Sequence, residues 1–173
     1  MKYIMAIAAA ELLALLHVSV MPYLEVLGVT PDLVLIFVAA WAVVRGHEEA
    51  AIVAPLAGFI KDLATSDPLG ASALALTPIV LLAAATRIRV VDTEFLPTVV
   101  VVALGSLGYG IISMVVLAGT GQSVVWSDSI LRVVLPACLV NALFTPLVYL
   151  PVHIFSAQGR LGTIGTRRLT SPL

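Results

Sequence analysis

The chain has 173 residues, 61% hydrophobic and 11% charged, with a net charge of −1, whereas soluble domains are roughly half apolar and about a quarter charged. That composition excludes an ordinary soluble domain, and its nine Lys and Arg, spread along the chain, exclude the basic face that a nucleic-acid partner requires. A membrane-spanning helix takes roughly 20 residues, so six of them occupy most of the chain and leave no space for a separate soluble domain.

Apolar runs and their breaks predict six helical segments, at 4–21, 31–44, 50–63, 71–85, 95–118 and 129–154. The first carries Glu11 and His17 and ends at Val20-Met21-Pro22 rather than at small residues, so it reads as a retained helix and not as a signal peptide. Thr30-Pro31-Asp32 supplies an N-cap, a first-turn proline and an acid for the second. Segments two and three are short for a crossing. Their connection, Arg45-Gly46-His47-Glu48-Glu49, is too charged to rest in hydrocarbon, where each charge costs at least about 2.5 kcal/mol. Both segments are therefore expected to cross, extended into 27–29 and 64–65 or with local thinning of the bilayer. Asp67-Pro68-Leu69-Gly70 has the residues of a type I turn and predicts a tight link between segments three and four. Pro78, Pro136 and Pro146 are expected to kink segments four and six.

Lys2, Arg45, Arg87, Arg89, Arg160, Arg167 and Arg168 all fall at the N-terminus, the 2–3 loop, the 4–5 loop or the tail. The positive-inside rule then places both termini in the cytoplasm. The expected architecture is an all-α integral membrane bundle of six transmembrane helices, N-in and C-in, over residues 1–155, with a short cytoplasmic C-terminal tail at 156–173. Lys61 and Arg132 lie near the outer helix ends, where their side chains are expected to snorkel. Small residues four apart at Ala6, Ala10, Ala14 and at Ala50, Ala54, Gly58, with Gly105, Ser106, Gly108 and Gly110 in segment five, mark faces for close helix contact.

An ionisable group inside a membrane helix is a functional candidate by default, which singles out Glu11, His17, Lys61, Asp62, Arg132 and His153. Lys61 and Asp62 are adjacent and point about 100° apart. Asp62 is expected to face the bundle or the next turn, accepting backbone N–H groups of the 66–70 connection; a proton or ligand site is the alternative. Glu11 and His17 do not share one helix face. Asn141 is suited to hydrogen-bonding across helices, and Cys138, the single cysteine, to packing. His17, His47 and His153 have no metal-site spacing, and no phosphate-cradling glycine loop is present. Gly70-Ala71-Ser72-Ala73 loosely echoes the nucleophile motif of rhomboid proteases, with His153 as a conceivable base, but Ser72 reads better as a helix N-cap. No catalytic, metal or cofactor residues are expected.

Pro31-Asp32-Leu33-Val34-Leu35, then Arg45-Gly46, then Gly58-Phe59-Ile60-Lys61-Asp62-Leu63, then Pro68-Leu69-Gly70-Ala71-Ser72-Ala73-Leu74, in this order and spacing, resemble the MreD family of bacterial rod shape-determining proteins. Lys61 departs from that pattern, since an apolar or small residue is commoner there. The resemblance implies a non-enzymatic, multi-pass component of the bacterial cytoplasmic (inner) membrane that serves the peptidoglycan elongation machinery as scaffold or regulator. Its implied partners are MreC and, through it, RodA with its class-B transpeptidase and, indirectly, MreB filaments. Pro31, Asp32, Gly58, Asp62, Pro68, Leu69 and Gly70 carry over as family-motif positions of structural character. In size and layout the chain is also similar to the S-components of energy-coupling-factor transporters. That reading would make it a small-molecule binder, with Trp126, Asp128, Tyr109, Asp62 and Arg132 as pocket candidates.

Overall fold

The computed structural model describes residues 2–65, 68–86 and 94–167, with side chains described from 3 to 156. Arg87 and Arg89, the start of the expected 67–70 turn and most of the expected tail therefore lie outside the described side chains. Beside a 3-10 turn at Met21–Tyr23, the described chain forms six α-helical runs: α1 (Lys2–Ser19), α2 (Leu33–Val44), α3 (His47–Ala64), α4 (Ala71–Thr86), α5 (Phe95–Gly119) and α6. The last is continuous through three pieces: a short helix Trp126–Ser129, a π turn Ile130–Val134 and a long helix Leu135–Arg167. The helix thus runs on beyond the expected end at 154.

α2 is the centre of the bundle. Its sequence, LVLIFVAAWAVV, is apolar on every face, and eleven of its twelve residues are buried. A helix apolar all round must be surrounded by lipid or by protein, and here it is protein: α2 packs against α1, α3, α4, α5 and α6. Those five follow one another around it in the order α1, α3, α4, α5, α6. Phe37, Leu35, Ile36, Val34 and Val38 are among the largest fully buried side chains.

The small-residue stripes lie inside this ring. Ala6, Ala10 and Ala14 of α1 and Ala50 and Ala54 of α3 are all buried, and α1 packs on α3. Gly58 marks the closest approach. A Cβ there would stand 2.4 Å from both the Cα and the N of Ala73, so α3 and α4 meet backbone to backbone. The outer surface has the opposite character, with Leu131, Leu135, Leu139, Leu143 and Leu147 forming an exposed ridge four residues apart along α6. In water such a surface would be an association liability; against lipid it needs no cover. α5 and the 126–156 part of α6 are each long and apolar enough to cross a membrane, and α1, α2 and α4 are shorter apolar helices.

Two expectations change. α2 begins at Leu33 with Asp32 as its N-cap, so Thr30 is not the cap and Pro31 precedes the helix. The carboxylate of Asp32 accepts from Leu35 N–H two residues further in than the Thr-Pro pattern suggested. Second, the chain before α2 does not extend it, because Val26 and Val29 bridge each other around Leu27 and Gly28, both at positive φ. At 1.5 Å per residue α2 is therefore only about 18 Å long, against a hydrocarbon thickness of about 30 Å. α3 does extend, to Ala64 at one end and back to His47 at the other. Pro136 lies two residues beyond the π turn. Its missing N–H cannot reach back one turn, and the widened turn is a usual way of absorbing that loss.

Gly46, at φ 113, reverses the chain between α2 and α3 in a conformation open mainly to glycine. Beside it Arg45 donates to Glu49 at 3.1 Å and stacks over the Trp41 ring, its guanidinium carbon 5.4 Å from the centroid.

Candidate functional site

Because α2 starts late, its N-terminus lies below the rim formed by the longer helices, and a cavity of about 670 Å³ opens above it. The 17–32 stretch, the α3–α4 connection, α5 and the start of α6 enclose it. Its floor is a network of buried and half-buried polar groups contributed by five helices. Lys61, 4% exposed in α3, donates to the Asp32 carboxylate at the N-cap of α2 and to the Tyr109 hydroxyl of α5 at 2.8 Å. That hydroxyl lies 2.9 Å from Ser72 Oγ of α4. On the other side, Asp32 N–H donates to Asn141 Oδ1 of α6 at 2.7 Å, and Asn141 Nδ2 donates to Ser106 Oγ of α5 at 2.9 Å. Five helices are thereby joined at one level by hydrogen bonds that a low-dielectric interior strengthens when all members are satisfied.

Asp62 works next to this network but in a different direction. Its carboxylate accepts Gly70 N–H at 2.8 Å and Ser72 N–H at 3.0 Å, so it satisfies backbone donors at the start of α4 that have no partner within the helix. This is the acceptor arrangement that the position of Asp62 suggested, reached from inside α3. The connection itself closes with Ala71 N–H on Pro68 C=O at 3.0 Å. Gly70, at φ 91, is then the third residue of a 68–71 turn, where a type II turn requires positive φ. The expected 67–70 turn begins at Asp67, outside the described residues.

Two other assignments are corrected. Lys61 does not snorkel to the outer surface: it points inward and is held by Asp32 and Tyr109. Ser72 is not the N-cap of α4, since it lies within the helix, its N–H on Asp62 and its hydroxyl on Tyr109. Of the five residues imagined for a ligand pocket, Tyr109 lines the cavity, whereas Arg132 pairs with Asp128 at 2.9 Å on the exposed surface and Trp126 is exposed. Glu11 is exposed on α1, His17 lies at the cavity, and His153 stacks on Tyr149 with centroids 5.4 Å apart. Cys138 is buried, its Sγ 3.1 Å from Val134 C=O. Among the described residues no group of His, Cys, Asp and Glu could hold a metal ion.

Sequence reasoning missed the partnership of Lys61, Asp32 and Tyr109. The usable signal was charge balance: a cation and an acid in neighbouring apolar helices of one bundle must find each other or remain uncompensated.

Residues 2–158 match the family of the rod shape-determining protein MreD. No curated protein and no solved structure matches the chain.

Proposed function

The chain belongs to the MreD family of rod shape-determining proteins, and from that premise we propose that it crosses the bacterial cytoplasmic membrane six times, both termini inside, and serves the peptidoglycan elongation machinery as a scaffold that binds MreC. The family match, which spans nearly the whole chain, carries this reading. RodA with its class-B transpeptidase would be reached through MreC, and MreB filaments indirectly. No catalytic role is assigned to any residue.

The distribution of charge supports the orientation. The cavity mouth, formed by the 17–32, 68–71 and 122–124 stretches, carries no Lys or Arg in its connections, whereas Arg45 sits at the opposite end of α2. The short α2 crosses because the network at its N-cap replaces hydrocarbon contact over the remaining depth. In this reading the family-motif positions are structural: Asp32 ties α2 to α3 and α6, and Gly58 lets α3 and α4 touch. Asp62, with Pro68, Leu69 and Gly70, sets the turn that follows. With few residues outside the helices, partner binding falls to exposed helix faces and short loops.

Two measurements test the proposal. In a Cys138→Ala background, Ser123→Cys is expected to react with an impermeant thiol reagent in intact spheroplasts and Glu48→Cys only after lysis; the reverse pattern refutes the orientation. Affinity purification from membranes in mild detergent is expected to recover MreC in stable ratio. A protein that restores rod shape while recovering none refutes the scaffold.

A further inference from the structure

We propose that the cavity above α2 is a binding site for a small uncharged sugar. Its volume of about 670 Å³ lies within the range of roughly 300–1,000 Å³ typical of small-molecule sites. Convergent polar groups on an otherwise apolar lining are the other mark of such sites. The inference concerns a ligand and stands apart from the partner reading above.

Charge decides the class of ligand. Among the described residues Lys61 is the sole Lys or Arg in the cavity wall, and its ammonium is held between the Asp32 carboxylate and the Tyr109 hydroxyl. A phosphate or carboxylate would have to break that pair to gain a cation, and would meet the Asp32 carboxylate as it did so. A cationic ligand would meet the Lys61 ammonium on the same floor. The neutralised pair thus leaves hydroxyls and amides as the recognition groups of the floor, while the other ionisable side chains of the lining are Glu25, which is exposed, and His17, which is half-buried.

Their placement suits a molecule with a polar edge and an apolar face. Ser106, Tyr109 and Ser113, three and then four residues apart on α5, fall on one helix stripe. The Ser113 hydroxyl has no hydrogen-bond partner among the described residues, so it is open to a ligand as donor and acceptor. α6 contributes Val133, Val134 and Ala137 to the lining, an apolar wall for ring C–H groups or a methyl. A sugar offers both surfaces, and its hydroxyls cost little to bury when each finds a partner.

The experiment compares two probes that differ in charge, N-acetylglucosamine and N-acetylglucosamine 1-phosphate. It uses the full chain in lipid nanodiscs, free of sugar-headed detergent. The neutral sugar is expected to raise the thermal midpoint saturably in the millimolar range, with the phosphate at least tenfold weaker. Ser113→Trp, which places an indole in the cavity, is expected to abolish the response; Ser113→Leu serves if the larger variant lacks a cooperative transition. Absence of a saturable shift with N-acetylglucosamine, equal or tighter binding of the phosphate, or an undiminished response in the filled variant would each overturn the proposal.

Discussion

Removing the Lys61 ammonium tests what holds the cavity floor together. Lys61→Met keeps most of the side-chain volume but leaves the Asp32 carboxylate with Leu35 N–H as its remaining hydrogen-bond donor, at a residue 8% exposed. Breaking a buried ion pair by deleting one partner costs about 3–5 kcal/mol, because the surviving charge is uncompensated, and the lost bond to Tyr109 adds about 1 kcal/mol. Adding Asp32→Asn removes the second charge while the amide oxygen still caps α2. The double variant is therefore expected to lose only about 1–2 kcal/mol, for the weaker cap and the missing Tyr109 bond. The gap between single and double, about 3 kcal/mol, corresponds to roughly 6–12 °C in thermal midpoint for a chain of this size. Tryptophan fluorescence in nanodiscs reads the transition, and steady-state abundance in membranes gives a second measure. A double variant as unstable as Lys61→Met would refute the electrostatic account. A single variant melting with the wild type would show that cavity water already solvates Asp32.

Gly58→Ala is expected to lower abundance sharply, since its Cβ would lie 2.4 Å from Ala73 backbone atoms and overpacking of a tight contact costs about 1–3 kcal/mol. Gly108→Ala, with nothing within 4 Å of the new Cβ, should accumulate normally, and equal levels of the two variants would contradict the close α3–α4 crossing. Asp62→Asn retains one acceptor for the Gly70 and Ser72 donors and is expected to restore rod shape in a depleted strain. Asp62→Leu retains none and should fail with reduced protein level; a stable, membrane-inserted but inactive Asn variant would show that the charge itself has a role. Gly70→Val has open space for its side chain, so its cost is the left-handed backbone alone, about 1–2 kcal/mol. A larger fall in the thermal midpoint would mean that the turn makes contacts beyond its own geometry.

Much of the architecture was legible because lipid imposes it. Six apolar runs become six helices, Gly58 and the alanine stripes become contacts, and Asn141 bridges helices as a polar residue in that setting should. The position of α2 was not legible: LVLIFVAAWAVV satisfies a lipid-facing helix and a central one equally well, and periodicity cannot separate them when every face is apolar. The Lys61–Asp32 pair was hidden for a related reason. The distance of Lys61 from a helix end is a one-dimensional measure suited to snorkelling, while its orientation around α3 depends on which neighbours fill that side. Asp32 reads as a first-turn acid because Thr30-Pro31 forms an equally good start signal two residues earlier, and the Asp32 cap on Leu35 N–H with the tertiary bond from Asp32 N–H to Asn141 distinguishes the two. Ser72 was misplaced because an acceptor for its N–H comes from Asp62, ten residues upstream.

A helix that touches all five others also sets the schedule of assembly. α2 is synthesised second, yet four of the helices that cover it follow it in the chain. The counter-charge of Asp32 arrives 29 residues later with Lys61, and the acceptor for its N–H arrives 109 residues later with Asn141. Until α6 is in place, α2 therefore lacks one of the five helices that cover it, and its polar end is incompletely matched. A chain cut off before α6 would keep that donor unmatched, so the last helix to be made completes the second.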